Sequence, residues 1–116
     1  MSYYKIYELF RNLPDDAQRF GRGKYKDDIG TYCAVSSAIP CLQSPKSGMI
    51  NTGQIFNVAA ATPQVCNEAV ELGVNIRELE SLQRVNDTFE GTYRERFEHV
   101  MKWLANLCEW TGKEDK

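Results

Sequence analysis

Residues 86–110 read NDTFEGTYRERFEHVMKWLANLCEW and carry the clearest helical pattern in the chain. Thr92 followed by Glu95 has the spacing of a capping box, which starts a helix at this point. Beyond it, apolar side chains recur at three- and four-residue intervals, at Tyr93, Phe97, Val100, Met101, Leu104, Leu107 and Cys108. They cover one continuous face of the helix. We therefore predict that this helix is the centre of the hydrophobic core.

The remaining sequence predicts further helices joined by short turns. Apolar residues recur at helical spacing from Tyr3 to Leu13, and Pro14 ends that helix. Other helices are predicted at 15–20, 32–39, 54–61, 63–72 and 75–85. A buried strand is the alternative for 32–39, because short apolar runs are ambiguous. The sequence predicts an all-α fold, a compact single-domain bundle of five to six helices at 1–111, with a disordered tail at 112–116.

Composition limits the classes of function. The 116 residues are 42% apolar and 26% charged with a net charge of −2, so we do not expect nucleic acid as a partner. No apolar run approaches the ~20 residues of a membrane span, and no signal peptide is visible. None of the four cysteines belongs to a Cys-x-x-Cys pair, and His99 is the single histidine. We expect a cytoplasmic protein with reduced thiols and with neither a metal nor a cofactor.

Cys33 is the first candidate for catalysis. It would lie in the first turn of the helix at 32–39, where the helix dipole lowers the pKa of a thiol. His99 would be its base, and Asn86 or Asp87 would orient the imidazole. The alternative is that Cys33 is a small apolar residue in the core. Because no motif of a known thiol enzyme surrounds Cys33, we expect a protein that is not an enzyme.

A second stripe runs along the long helix beside its main apolar face. Arg96, Trp103 and Trp110 form it, and tryptophan and arginine are typical of interface hot spots. The alternative is that another helix covers the two indoles and that they complete the core. We take Arg96, Trp103 and Trp110 as the predicted contact surface, and the tyrosines of the first helix as a second choice.

The loop around residue 22 is the most basic segment of the chain. Four cations, Arg19, Arg22, Lys24 and Lys26, alternate with Phe20, Tyr25 and two glycines, a combination typical of phosphate or single-strand contacts. Tyr25 would stack on a base. The alternative is a solvated loop whose aromatic residues, Phe20 and Tyr25, pack into the core. Two aspartates follow directly and cancel half of the positive charge, which favours this alternative.

Two segments together resemble an uncharacterised family of small proteins from actinobacteria and bacteriophages. They are GKYKDDIGTYCAVSSAI at 23–39 and LQRVNDTFEGTYRERFEHVMKWL at 82–104. The residues that match are Gly23, Tyr25, Asp28, Cys33, Ala34, Ala38, Asn86, Asp87 and Thr92, whereas Ser36 and Ser37 depart from the pattern. The resemblance implies an all-helical single domain and a phage origin, and it implies no activity.

These observations predict a non-enzymatic binding protein. The first hypothesis is a phage accessory protein that engages or inhibits a host factor, such as a defence component, or that associates with a second copy of itself. The second is a binder of a small ligand or nucleotide signal through Arg22, Lys24, Tyr25 and Lys26. The third is a thiol enzyme with Cys33 as nucleophile and His99 as base.

Overall fold

The computed structural model describes residues 3–23, 25–27, 29–43 and 55–114, and of residues 56 and 109–114 it describes the backbone alone. Within these ranges the chain forms six α-helices and two short 3₁₀ turns. The helices are α1 (Tyr4–Arg11), α2 (Ala34–Ala38), α3 (Ile55–Ala61), α4 (Pro63–Glu71), α5 (Ile76–Thr88) and α6 (Tyr93–Glu114), and the 3₁₀ turns are Asp15–Ala17 and Pro40–Leu42. The prediction of an all-α bundle of five to six helices is confirmed.

Reciprocal capping starts the two C-terminal helices where the sequence predicts. At α5, Asn75 Oδ1 accepts from the backbone N–H of Glu78 at 2.8 Å, and Glu78 Oε1 accepts from that of Asn75 at 3.0 Å. At α6, Thr92 and Glu95 make the same pair of bonds at 3.1 and 2.8 Å. The bonds from Thr92 lower the pKa of the Glu95 carboxyl. Both capping boxes are therefore confirmed.

The hydrophobic core is organised around α5 rather than α6. Helix α5 packs against α2, α3, α4 and α6, whereas the principal contacts of α6 are with α1 and α5. The apolar face of α6 is buried as predicted, through Phe97, Val100 and Leu104. The prediction that α6 is the centre of the core is wrong, because its opposite face is exposed while α5 is covered on several sides.

The segments on either side of the basic loop contain less helix than predicted. Only the single 3₁₀ turn Asp15–Ala17 forms within 15–20. Within 32–39 the helix is α2 alone, with Cys33 at its N-cap. Tyr32 instead pairs with Lys26 in an isolated antiparallel bridge, which holds the backbone extended there.

The C-terminal helix is longer than predicted. Helix α6 continues to Glu114, so residues 112–114 are helical and not part of a disordered tail. A single glycine such as Gly112 weakens a helix by about 1 kcal/mol relative to alanine and does not by itself end it. Residues 115 and 116 lie outside the described part of the chain.

None of the described helices combines the length and the apolar character that spanning a membrane requires.

Candidate functional site

The basic loop is held against α5 by one buried amide. Asn86 is fully buried, and its Oδ1 accepts from the backbone N–H of Ala34 at 3.1 Å. Its Nδ2 donates to the carbonyl of Gly21 at 2.9 Å and to Asp87 Oδ1 at 2.8 Å. Asp87 Oδ1 also accepts from the backbone N–H of Gly23 at 3.3 Å. The Asn-Asp pair therefore joins α5 to the loop and to the start of α2.

A second carboxylate joins the same loop to α6. Asp27 Oδ1 accepts from the backbone N–H groups of Ile29 and Thr31 at 3.1 and 2.9 Å. Its Oδ2 accepts from the hydroxyl of Tyr93 at 2.6 Å. This carboxylate therefore closes a tight turn at 27–31 and ties that turn to Tyr93, the first residue of α6. Partly buried carboxylates need such hydrogen-bond partners.

Arg96 is buried and lies under the loop, not on an exposed surface. It is 3% exposed, and its two terminal nitrogens donate to the carbonyls of Phe20 and Phe89 at 3.0 and 3.1 Å. Burial lowers its pKa, and the nearby positive charge of Arg22 lowers it further. The prediction that Arg96 belongs to a partner surface is wrong, because two backbone carbonyls from separate segments enclose its guanidinium.

Tyr25 is a core residue. Its side chain is 2% exposed, and its hydroxyl accepts from Gln83 Nε2 at 3.1 Å. Burial raises its pKa to about 12. Its backbone carbonyl accepts from the hydroxyl of Ser36. The hypothesis that Tyr25 stacks on a base is wrong, and the alternative that Phe20 and Tyr25 pack into the core is confirmed.

The basic side chains of the loop differ in exposure in the described structure. Arg22 is exposed, and Lys26 is half-buried in the bridge to Tyr32. Lys24 lies outside the described residues. The predicted phosphate site therefore has one exposed described cation, Arg22.

The candidate thiol Cys33 is fully enclosed. Its sulphur lies 3.5 Å from Ser36 Oγ, and burial raises its pKa. The prediction that the dipole of α2 lowers this pKa is wrong, since the helix has five residues and the desolvation of the thiolate is the larger effect.

The other two candidate catalytic residues are engaged elsewhere. His99 is exposed on α6, and its ring stacks on Phe89 with 4.6 Å between the ring centroids. The Asp87 carboxylate accepts from Gly23 and Asn86. The described contacts thus do not assemble Cys33, His99 and Asp87 into a catalytic set, and no group of three or more histidine, cysteine or acidic side chains converges in the described part.

An aromatic surface lies where α1 crosses α6. Trp103 is half-buried, and Tyr3 packs on it with 5.0 Å between ring centroids and the rings at 63°. The Tyr3 hydroxyl donates to the carbonyl of Glu78 at 2.8 Å, and burial raises its pKa to about 12. Helix α1 therefore covers part of the predicted tryptophan stripe. The side chain of Trp110 lies outside the described residues.

Helix α1 extends this surface outward. Tyr4 is 54% exposed, and the Arg11 guanidinium lies 5.9 Å from the centre of the half-buried Tyr7 ring. Residues three, four and seven apart share one side of a helix, so these three side chains lie on one side of α1. We call Tyr3, Tyr4, Tyr7, Arg11 and Trp103 the α1–α6 aromatic surface.

A pocket of about 270 Å³ lies beside the two ends of the basic loop, at Arg19 and at residues 30–32. The segment around the first 3₁₀ turn, the residues before α2, one residue of α2 and the residue after the second 3₁₀ turn form its walls. The polar lining residues are Asp16, Arg19, Thr31, Tyr32, Ser37 and Gln43. The sequence carries no signal for this pocket, because these residues come from four separate segments. The sequence identified Arg19 as a cation of the basic loop but did not predict that it lines a pocket.

Comparisons with known proteins return no match: no protein-family model, no curated protein and no solved structure is significantly similar to this chain.

Proposed function

We propose that this chain is a non-enzymatic binding protein that engages a partner protein through the α1–α6 aromatic surface. The observation that carries the proposal is the Tyr3–Trp103 ring pair where α1 contacts α6, with the Arg11–Tyr7 pair and the exposed Tyr4 on α1 beside it in sequence. Tyrosine, tryptophan and arginine contribute most of the binding energy in protein interfaces. Tyr4 and Arg11 are exposed, so a partner reaches this surface without any rearrangement of the fold.

The positions of the candidate catalytic groups support binding rather than catalysis. Cys33 is buried with a raised pKa, and Asp87 is occupied by a backbone N–H and an amide of its own chain. Reactive cysteines in enzymes are partly exposed and have a lowered pKa. These groups instead hold the loop in place, and the loop supports the end of α6 that carries Arg96.

The resemblance to small proteins of bacteriophages supports a particular class of partner. We propose that the partner is a protein of the bacterial host, such as a component of a defence system, and that the two meet in the cytosol. A second copy of this chain is the alternative occupant of the aromatic surface, because closed symmetric dimers are the commonest assemblies.

The test uses a double variant that removes only the exposed part of the surface. Tyr4→Ala with Arg11→Ala leaves the Tyr3–Trp103 pair in place, and we expect it to weaken capture of the host partner by at least about tenfold. Val70→Ala is the matched control, since Val70 is 75% exposed on α4, and this variant keeps full binding.

Two results would contradict the proposal. One is a folded Tyr4→Ala, Arg11→Ala variant that retains every partner of the wild-type chain. The other is a partner lost equally from the Val70→Ala control. Sedimentation of the purified chain separates the two occupants, because self-association through this surface gives a dimer that the double variant lacks.

A further inference from the structure

The tip of the basic loop is a tight turn closed by Asp27. The carbonyl of Asp27 accepts from the backbone N–H of Gly30 at 3.0 Å, and its own N–H donates to the carbonyl of Thr31 at 2.9 Å. Its carboxylate also accepts from the backbone N–H groups of Ile29 and Thr31 and from the hydroxyl of Tyr93. Gly30 has a φ of 86°, the left-handed conformation that glycine adopts readily. Hydrogen bonds therefore hold the turn together and join it to α6.

This turn presents a large apolar side chain that takes no part in the core. Ile29 is 73% exposed. Single exposed apolar residues are common on proteins, but tight turns favour glycine, asparagine, aspartate and serine, so turn formation does not account for isoleucine here. Because the turn is already ordered, docking of Ile29 on another surface costs little conformational entropy. Ile29 is therefore well placed to be a contact residue.

A recess lies directly beside this projection. Gly30, the next residue in the chain, lines the 270 Å³ pocket, and Leu13 and Ala17 are its apolar lining residues. Ile29 is not among the lining residues, so it does not fill the pocket of its own chain. A projection and a recess side by side suit a two-fold interface, because rotation about an axis between them places each projection in the recess of the other copy.

The charges at this pocket are also compatible with a second copy of the chain. Asp16 and Arg19 both line the pocket and are exposed, and neither makes a hydrogen bond or an ion pair with another described residue. In a two-fold interface a residue i that contacts residue j is matched by j contacting i, so opposite charges on one surface form two equivalent pairs. A surface of a single sign would repel its own copy.

We propose that two copies of this chain associate around a two-fold axis at this pocket, with Ile29 of each copy in the pocket of the other. Asp16 of each copy pairs with Arg19 of the other. The contact is small, so the dimer is transient and forms at high protein concentration. The interface shares no residue with the α1–α6 aromatic surface, and the proposal does not depend on the proposed function.

The first experiment removes the apolar projection. Ile29→Asn introduces a residue that turns favour, so the monomer should unfold at the same or a higher urea concentration than the wild type. Because the dimer loses two buried side chains, its dissociation constant in sedimentation equilibrium should rise by at least about a hundredfold. Val70→Asn is the matched control, since Val70 is 75% exposed on α4, and it should dimerise like the wild type.

The second experiment tests the exchange of charges. Asp16→Arg leaves only positive charges at the contact and Arg19→Asp only negative ones, so each variant alone should dimerise at least about tenfold more weakly. An equimolar mixture of the two should recover the wild-type affinity as a heterodimer, because every pair across the axis again joins opposite charges. A purely structural role for either residue would not produce this recovery. Asp15→Arg and Arg22→Asp are the matched controls outside the pocket lining, and each should dimerise like the wild type.

Three results would overturn the proposal. The first is a wild-type chain that stays monomeric up to about 1 mM, where even a weak specific contact is populated. The second is a dimer that Ile29→Asn keeps and the Tyr4→Ala, Arg11→Ala variant loses, since self-association would then use the α1–α6 aromatic surface. The third is a mixture of Asp16→Arg and Arg19→Asp that associates no better than either variant alone. Capture of a host partner by Ile29→Asn should be unchanged, which separates this proposal from the proposed function.

Discussion

Two groups of polar side chains lie around the loop at 19–33, an inner group that is bonded to the chain and an outer pair that is exposed. On the inner side, Asn86, Asp27 and Arg96 are bonded to backbone groups of the loop and of its neighbours. The outer pair, Asp16 and Arg19, is exposed and makes no hydrogen bond or ion pair with another described residue. Arg96 Nε and Thr31 Oγ1 are both buried without a partner among the described residues, so burial does not guarantee a partner for every polar atom. Because bonded buried groups stabilise the fold and exposed unpaired charges contribute little, the two groups should differ in the effect of their removal.

The largest effect is expected from the inner arginine. Arg96→Met keeps the volume of the side chain and removes both bonds to the carbonyls of Phe20 and Phe89. Because hydrogen bonds from charged donors contribute about 1.5–3 kcal/mol each, we expect the free energy of unfolding to fall by about 3 kcal/mol. Urea denaturation measures this loss. A variant more stable than the wild type would show that the desolvation of the charge outweighs its two bonds.

The buried amide should have the second largest effect. Asn86→Ala leaves the backbone N–H of Ala34 and the carbonyl of Gly21 without a partner, and an unsatisfied buried group costs about 1–3 kcal/mol. We expect a loss of about 2 kcal/mol in the free energy of unfolding. The control is Thr88→Ala, since the Thr88 hydroxyl bonds only to the carbonyl of Arg84 in its own helix. Equal losses in both variants would contradict the special role of Asn86.

A smaller and pH-dependent effect is expected at Tyr25. At pH 7, Tyr25→Phe loses the bond to Gln83 and should cost about 1 kcal/mol. The folded pKa of Tyr25 is about 12, against 10.0 for the free side chain. The fold therefore favours the neutral phenol, and the wild type loses stability as the pH rises from about 10 to about 12.

The Tyr25→Phe variant has no phenol to ionise at position 25, so it does not show this loss of stability at alkaline pH. The stability advantage of the wild type over Tyr25→Phe should therefore shrink and then reverse as the pH rises from about 10 to about 12, because a shift of two pKa units is worth about 2.7 kcal/mol. Denaturation curves at pH 7, 10 and 11 measure it. The raised pKa of Tyr3 affects both proteins alike, so it cancels in the difference. A wild-type advantage that grows above pH 10 would contradict the burial of this phenol.

The smallest effect on stability is expected on the outer side of the loop. Arg19→Gln removes no bond within the described structure, so the free energy of unfolding should change by less than about 0.5 kcal/mol. Thermal denaturation measures this change in stability, with Arg96→Met measured in parallel. If Arg19→Gln destabilises the fold as strongly as Arg96→Met, Arg19 is a structural residue like Arg96 and the contrast between the two groups of side chains is wrong.

Several helices could be predicted from residues close together in sequence. Asn75 with Glu78 and Thr92 with Glu95 start α5 and α6 as their spacing predicts, and Pro63 begins α4. These signals are reliable because a capping bond joins residues only three apart, and the same bond forms in any surrounding fold. The apolar face of α6 was equally clear, since helical periodicity depends on the backbone alone.

Whether an individual polar residue is buried or exposed could not be predicted in this way. Arg96 lies on the border of the apolar face of α6, where a sequence pattern allows either burial or exposure. The carbonyls that bury it come from Phe20 and Phe89, the first of them 76 residues away along the chain. Cys33 likewise depends on long-range burial, which raises its pKa against the direction that its position in a helix predicts.

Local sequence thus established the all-α class and the starting points of α4, α5 and α6, because caps and periodicity act within a few residues. The packing of distant segments established which helix is central, which arginine is buried and where the pocket lies. The physical reason is that burial and polar pairing depend on groups that the chain brings together only when it folds, and Thr31, 15 residues after Asp16, becomes part of one site with it only in the folded protein.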